Sequence, residues 1–153
     1  MGGGVGLFGV TNHAEIKNLG VVSADVIGEI GVGGLVGWNY DSSVITNSYT
    51  SGTTTIKGNS DVGGLVGHND KGSKVVNSYV AASVIEGGYG VGGLVGVNSG
   101  SVVVKNSLVL NSQTTVTDNG DRAGVVVGHN DYDYGGTIKN PYGRSDVNTN
   151  FYS

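Results

Sequence analysis

Apolar positions along this chain come in short runs, and the runs repeat. Val32-Gly33-Gly34-Leu35-Val36-Gly37 recurs unchanged at 62–67 and again at 91–96, with degenerate copies at 4–9 and 123–128. Taken at the last glycine of each copy (Gly9, Gly37, Gly67, Gly96, Gly128), the spacings are 28, 30, 29 and 32 residues. Two residues later stands Asn39, Asn69, Asn98 or Asn130, with Thr11 in the first copy. A second run follows each hexapeptide: Ile16-Lys17-Asn18, Ile45-Thr46-Asn47, Val75-Val76-Asn77, Val104-Lys105-Asn106 and Ile138-Lys139-Asn140. A third, looser run includes Asp25-Val26-Ile27, Thr54-Thr55-Ile56, Ser83-Val84-Ile85 and Thr115-Val116-Thr117. Each repeat thus carries three β-prone runs separated by Gly, Asn, Asp and Ser, and no stretch shows a 3.6-residue apolar period.

That pattern predicts an all-β chain, a parallel β-solenoid (β-helix) of about five coils with three short strands per coil. The repeats fall at about 4–31, 32–61, 62–90, 91–122 and 123–153, so residues 1–153 form a single solenoid domain. A sandwich of antiparallel hairpins is the alternative. Identical motifs in consecutive repeats favour the solenoid, because stacking sets like residues on one another at roughly 4.8 Å. Ile16, Ile45, Val75, Val104 and Ile138 then make one inward aliphatic column, and Leu7, Leu35, Leu65, Leu94 and Val126 a second. Along a regular strand, Asn18, Asn47, Asn77, Asn106 and Asn140 share the phase of the first column. They are therefore expected to form a buried amide ladder at a bend, hydrogen-bonded from coil to coil, with Tyr49 and Tyr79 stacked beside it.

Composition removes several readings. The chain has 30 glycines and 26 valines in 153 residues, but one proline and no three-residue glycine period, so it is no collagen. Hydrophobic residues are 37%, too many for a flexible linker. Eight Lys+Arg against twelve Asp+Glu give a net charge of −4, which argues against nucleic acid as a partner. No apolar run approaches the roughly 18 residues of a membrane-spanning helix, so membrane insertion is not expected. The opening Met1-Gly2-Gly3-Gly4 lacks the charged and apolar regions of a signal peptide. There is no cysteine.

The repeated Gly-Gly-Leu-Val-Gly-x-Asn, followed by Ile/Val-x-Asn-Ser-Tyr, resembles the GLUG-motif repeat family. Its core stands at Gly6-Leu7-Phe8-Gly9, Gly34-Leu35-Val36-Gly37, Gly64-Leu65-Val66-Gly67 and Gly93-Leu94-Val95-Gly96, while the fifth copy has Val125-Val126 in place of Gly-Leu. The resemblance implies a segment of a large secreted or surface-anchored microbial protein, of the kind found in adhesins and IgA-specific metallopeptidases. There the repeats are accessory to any catalytic domain, and no catalytic residue carries over.

Candidate chemistry is sparse. His68 and His129 share a repeat position with Val10, Trp38 and Val97, two coils apart and too distant for one zinc ion, which makes them surface residues of a variable column. Asp41, Asp70, Asp131 and Asp133 gather in the turn after the hexapeptide. The run 130–136 is faintly like half a calcium loop but lacks the distal Glu. Asp131 and Asp133 as an acid/base pair, with Arg122 or Arg144 on an anionic sugar, is the enzymatic alternative. No nucleophile elbow or phosphate loop occurs. The sequence therefore predicts no catalytic residue, metal or cofactor. It predicts an extracellular or cell-surface structural or adhesive module, whose partner is a second copy stacked end to end or the rest of a larger surface protein. The second reading is a carbohydrate- or surface-binding module with Trp38, Tyr40, Tyr132 and Tyr134 as exposed aromatic platforms.

Overall fold

A computed structural model describes residues 3–110, 113–117, 122–131, 136–143 and 148–151, with side chains at 82–83 and 148–151 left aside. Every strand pairing among them is parallel, and each strand pairs with its counterpart one repeat away. The chain is a parallel β-solenoid of about four turns built from four sheets. Sheet 1 stacks Phe8–Asn12, Val36–Tyr40, Val66–Asn69, Val95–Asn98 and Val127–Asn130. Sheet 2 stacks Glu15–Lys17, Val44–Thr46, Lys74–Val76, Val103–Lys105 and Thr137–Lys139. Sheet 3 is built on the nine-residue strands Tyr49–Lys57 and Tyr79–Gly87, and sheet 4 on Ile30–Gly33, Ser60–Gly63, Tyr89–Gly92 and Ala123–Gly124. No described helix is long and apolar enough to cross a membrane.

The expected three strands per coil become four because the hexapeptide is a corner, not a strand. Val32 and Gly33 close sheet 4, Gly34 and Leu35 bend, and Val36 opens sheet 1. The corner turns Leu35, Leu65 and Leu94 inward, and all three are fully buried with Val32, Val62 and Val91 before them and Val36, Val66 and Val95 after. Ile45, Val75 and Val104 fill the opposite wall as expected, with Ile16 packed against them. The third run lies in the long sheet-3 strand, whose pairing has a register irregularity between Ala82 and Val84.

Leu7 departs from its predicted column and is 58% exposed. Val5 pairs with Val32 and Phe8 with Val36, so the first corner has two residues where the others have three. The shorter corner cannot carry Leu7 inward. Val10, Val22 and Ile27 of the same coil are also exposed.

The expected amide ladder hydrogen-bonds from coil to coil, Asn47 to Asn18, Asn106 to Asn77 and Asn140 to Asn106, but its burial is a second correction. Asn18, Asn47, Asn77, Asn106 and Asn140 are all exposed, with φ between 48° and 56°. Asparagine tolerates this left-handed conformation, and the residue that adopts it swings the chain from sheet 2 into sheet 3. Strand alternation ends there, so the asparagine points outward. Ser48, Ser78 and Ser107 follow and point in. Each hydroxyl donates 2.9 Å to the carbonyl two residues before it, and Ser78 and Ser107 accept the backbone N–H of the serine one coil below.

The buried ladder consists instead of the other asparagines. Asn39 donates to Asn69 (2.8 Å), Asn69 to Asn98 (2.8 Å) and Asn98 to Asn130 (2.6 Å). Thr11 closes the first end by donating to Asn39 Oδ1 at 2.8 Å, and Asn130 donates to the Gly136 carbonyl at the other. Asn39, Asn69 and Asn98 are essentially inaccessible, so their amides are satisfied by ladder neighbours and, for Asn39, by the Ser43 carbonyl as well.

Candidate functional site

Chemistry-bearing side chains converge on one flank, where sheet 4 meets sheet 1. Sheet 1 sets Val10, Trp38, His68, Val97 and His129 in one outward column by direct register. Sheet 4 supplies Gly31, Asp61 and Gly90 beside it, all with positive φ of 66°, 56° and 61°. Trp38 leans over Gly31, where a Cβ would lie 1.8 Å from the indole Nε1. Its other neighbour is His68, stacked at 5.1 Å between ring centroids. Trp38 is thus half-buried, with Nε1 enclosed and without an acceptor among the described residues. It is not the free-standing platform expected. Tyr40 is also half-buried, and the Lys71 ammonium lies 4.9 Å from its ring centre. Tyr132 and Tyr134 lie outside the described residues, as do Asp133 and Arg144. The rings that do stack freely are Tyr49 and Tyr79, 4.8 Å apart and nearly coplanar.

One coil up, aspartate takes the position that glycine fills at 31 and 90. The Asp61 carboxylate accepts from Ser60 Oγ (2.5 Å) and pairs with His68 Nδ1 (2.8 Å), while His68 Nε2 is 3.3 Å from Ser99 Oγ. Burial pushes the Asp61 carboxyl up, but hydrogen bonds from His68 and Ser60 and the nearby imidazoles outweigh it and hold it below its usual 3.8. Beyond Val97, Arg122 Nη1 donates to His129 Nε2 at 2.6 Å. Burial and the Arg122 charge both hold the His129 imidazole below its usual range, as a ring accepting from guanidinium must be neutral.

Ser99, His68 and Asp61 touch in the order of a nucleophile, base and orienting acid. Acyl transfer also needs donors aimed at a developing oxyanion and a cleft beside the nucleophile. Here the Ser99 N–H is committed to the Asn69 carbonyl at 2.9 Å, and Trp38 covers the His68 ring. A recess of about 320 Å³ lies elsewhere, under the first coil between Val5, Leu7, Val21 and Ile27. The triplet ties two consecutive coils together: Asp61 and His68 flank one corner, and Ser99 comes from the next. His68 was legible as a repeat position, but Asp61 and Ser99 were not singled out. The available signal was Asp61 itself, a carboxylate where the neighbouring copies have Gly31 and Gly90 and the last has Arg122. Among the described residues no three metal-ligating side chains gather.

The GLUG motif matches residues 28–56 and 58–85. The fold is similar to the crystal structure of a "putative immunoglobulin A1 protease from Bacteroides ovatus", with a TM-score of 0.70 and 22% identity over 90% of this chain. The chain spans 42% of that structure's length. Comparison with curated protein sequences returns no match. The matched segments each run from the end of one sheet-3 strand to the end of the next, one full coil, and the coils around them keep their register: residues 28–56 and 58–85 are GLUG-motif repeats.

Proposed function

We propose that the chain is a non-catalytic structural or adhesive segment of a larger extracellular or cell-surface microbial protein. The observation that carries this reading is the continuous register of four sheets around an interior filled by stacked aliphatic side chains. Such a body resists bending because each coil is hydrogen-bonded along four lines to the next. Its variable positions lie on the outside, where contact with a partner costs the fold little. The first coil leaves an open strand edge with Leu7, Val10, Val22 and Ile27 exposed, which fits a further coil of the same polypeptide or a second copy stacked on it.

The test is aimed at the one place where catalytic chemistry converges. The purified chain is treated with a fluorophosphonate probe and assayed with small ester substrates, alongside small-angle scattering. The expected result is an elongated particle, no labelling and no turnover. Labelling at Ser99 that disappears in both Ser99→Ala and His68→Ala overturns the non-catalytic reading.

A further inference from the structure

The cations of this acidic chain are unevenly placed. Four of its eight Lys and Arg residues, Lys17, Lys74, Lys105 and Lys139, project from sheet 2, which carries one carboxylate, Glu15. Glu15 is taken by Lys17 at 3.2 Å. Lys74, Lys105 and Lys139 are exposed, and among the described residues none has an ion-pair partner. Lys105 and Lys139 occupy the same register position on neighbouring strands, where like charges stand about 4.8 Å apart. Like charges directly opposite one another destabilise a sheet, so the fold gains nothing from this pair. The acids of the preceding turn, Asp41, Asp70 and Asp131, border the other edge of sheet 2, before its strands begin.

Two further lanes run beside the lysines. The exposed asparagines lie one residue on, and each amide in the ladder uses one N–H on its neighbour: Asn106 donates to Asn77 (3.2 Å) and Asn140 to Asn106 (3.1 Å). The second N–H of each is left facing solvent. Two residues further come Tyr49, Tyr79, Leu108 and Tyr142 in register, with Tyr142 66% exposed. The amide recurs on every coil, with a lysine before it at Lys17, Lys105 and Lys139 and a ring after it at Tyr49, Tyr79 and Tyr142, and all three meet on the last coil at Lys139, Asn140 and Tyr142.

We propose that this flank binds an anionic polysaccharide lying along the solenoid axis. Its carboxylates pair with Lys105 and Lys139, its hydroxyls meet the Asn106 and Asn140 amides, and a sugar face rests on Tyr142. Charge complementarity selects the ligand, because on this net −4 chain half of the cations gather on sheet 2. The amide and aromatic lanes distinguish a sugar from a bare polyanion. The inference rests on the adhesive form of the function proposed above and supplies its partner.

The test measures binding of the full chain to polygalacturonate, with neutral dextran, inorganic polyphosphate and single-stranded DNA as comparison probes. Polygalacturonate is expected to bind at low salt and to weaken as sodium chloride is raised, because exposed charges are screened within about 10 Å at 0.1 M. Lys105→Gln/Lys139→Gln is expected to weaken it by about tenfold or more through loss of two charge-assisted contacts. Tyr142→Ala is expected to weaken polygalacturonate binding and leave polyphosphate unchanged. Unaltered circular dichroism confirms that these surface variants fold. Absence of polygalacturonate binding, or binding unchanged in the double variant, overturns the proposal. Equal binding of polyphosphate or DNA, with no effect of Tyr142→Ala, overturns it in favour of simple charge attraction. A chain that fails here yet remains an unlabelled rod leaves the structural reading intact, whereas labelling of Ser99 removes that reading alone.

Discussion

Asn69→Ala is expected to destabilise the solenoid by about 2–5 kcal/mol, while Asn77→Gly, eight residues away, is expected to change stability by about 0.5 kcal/mol or less. Asn69 is fully buried and sits mid-ladder, accepting from Asn39 and donating to Asn98 at 2.8 Å each. Its removal leaves one buried donor and one buried acceptor unpaired, and each such group costs about 1–3 kcal/mol. Asn77 is exposed and needed for its positive φ of 49°, which glycine adopts freely. Urea unfolding of the two variants checks the assignment. A larger loss in Asn77→Gly than in Asn69→Ala would return the buried ladder to the position expected from sequence alone.

Gly63→Ala is expected to be the more damaging of the large-effect changes, costing about 3 kcal/mol or more and lowering the yield of folded protein. A Cβ at Gly63 would lie 1.9 Å from the Val66 carbonyl oxygen, 2.6 Å from the Gly96 nitrogen and 2.9 Å from the Leu94 oxygen. All three are backbone atoms, so no rotamer change relieves the clash. The corner of its own coil and the corner above must both move, and the leucine column moves with them. Circular dichroism and urea unfolding of Gly63→Ala measure the effect. A variant as stable as the parent would mean that the hexapeptide corners are not stacked this closely.

The two expectations also mark where sequence reading worked and where it stopped. Stacking was legible because the hexapeptide recurs unchanged, and like residues at one spacing can satisfy one another only if the repeats lie in register. The Ile45, Val75 and Val104 wall followed from that period and is buried as expected. Corners were not legible. Alternation assigns a face only while the strand lasts, and the left-handed asparagines at 47, 77 and 106 end it without any change in the apolar pattern. Two asparagine columns repeat equally well and both hydrogen-bond from coil to coil, so alternation alone assigned burial to the exposed one. The same limit hid the fourth sheet, since Val-Gly-Gly-Leu-Val reads as one apolar run although its glycines allow the bend. At Leu7, one residue fewer in the corner was enough to turn a core position outward.

The flank chemistry was hidden for a different reason. Asp61, His68 and Ser99 come from three points of the chain, and only the register of sheets 1 and 4 brings them within hydrogen-bond range. Trp38 was misjudged because its cover, Gly31, is a residue without a side chain. Once the coil geometry is known, both follow directly. Each repeat position has a fixed neighbour one coil away, and each exception to the repeat faces the exception that accommodates it.

The account rests on one claim, that consecutive repeats are stacked coils in this register, and a disulfide test addresses it directly because the chain has no native cysteine. Thr46 and Val76 are register partners on sheet 2, so their Cα atoms stand about 4.8 Å apart, within the range a disulfide spans. Lys105 pairs with Val76 one coil further on, about 9.6 Å from Thr46, beyond that range. Oxidation of Thr46→Cys/Val76→Cys, followed by mass spectrometry of the intact monomer, is expected to show near-complete intramolecular bonding, and Thr46→Cys/Lys105→Cys is expected to show none. Free thiols in the first pair, or a bond in the second, would contradict the stacked solenoid.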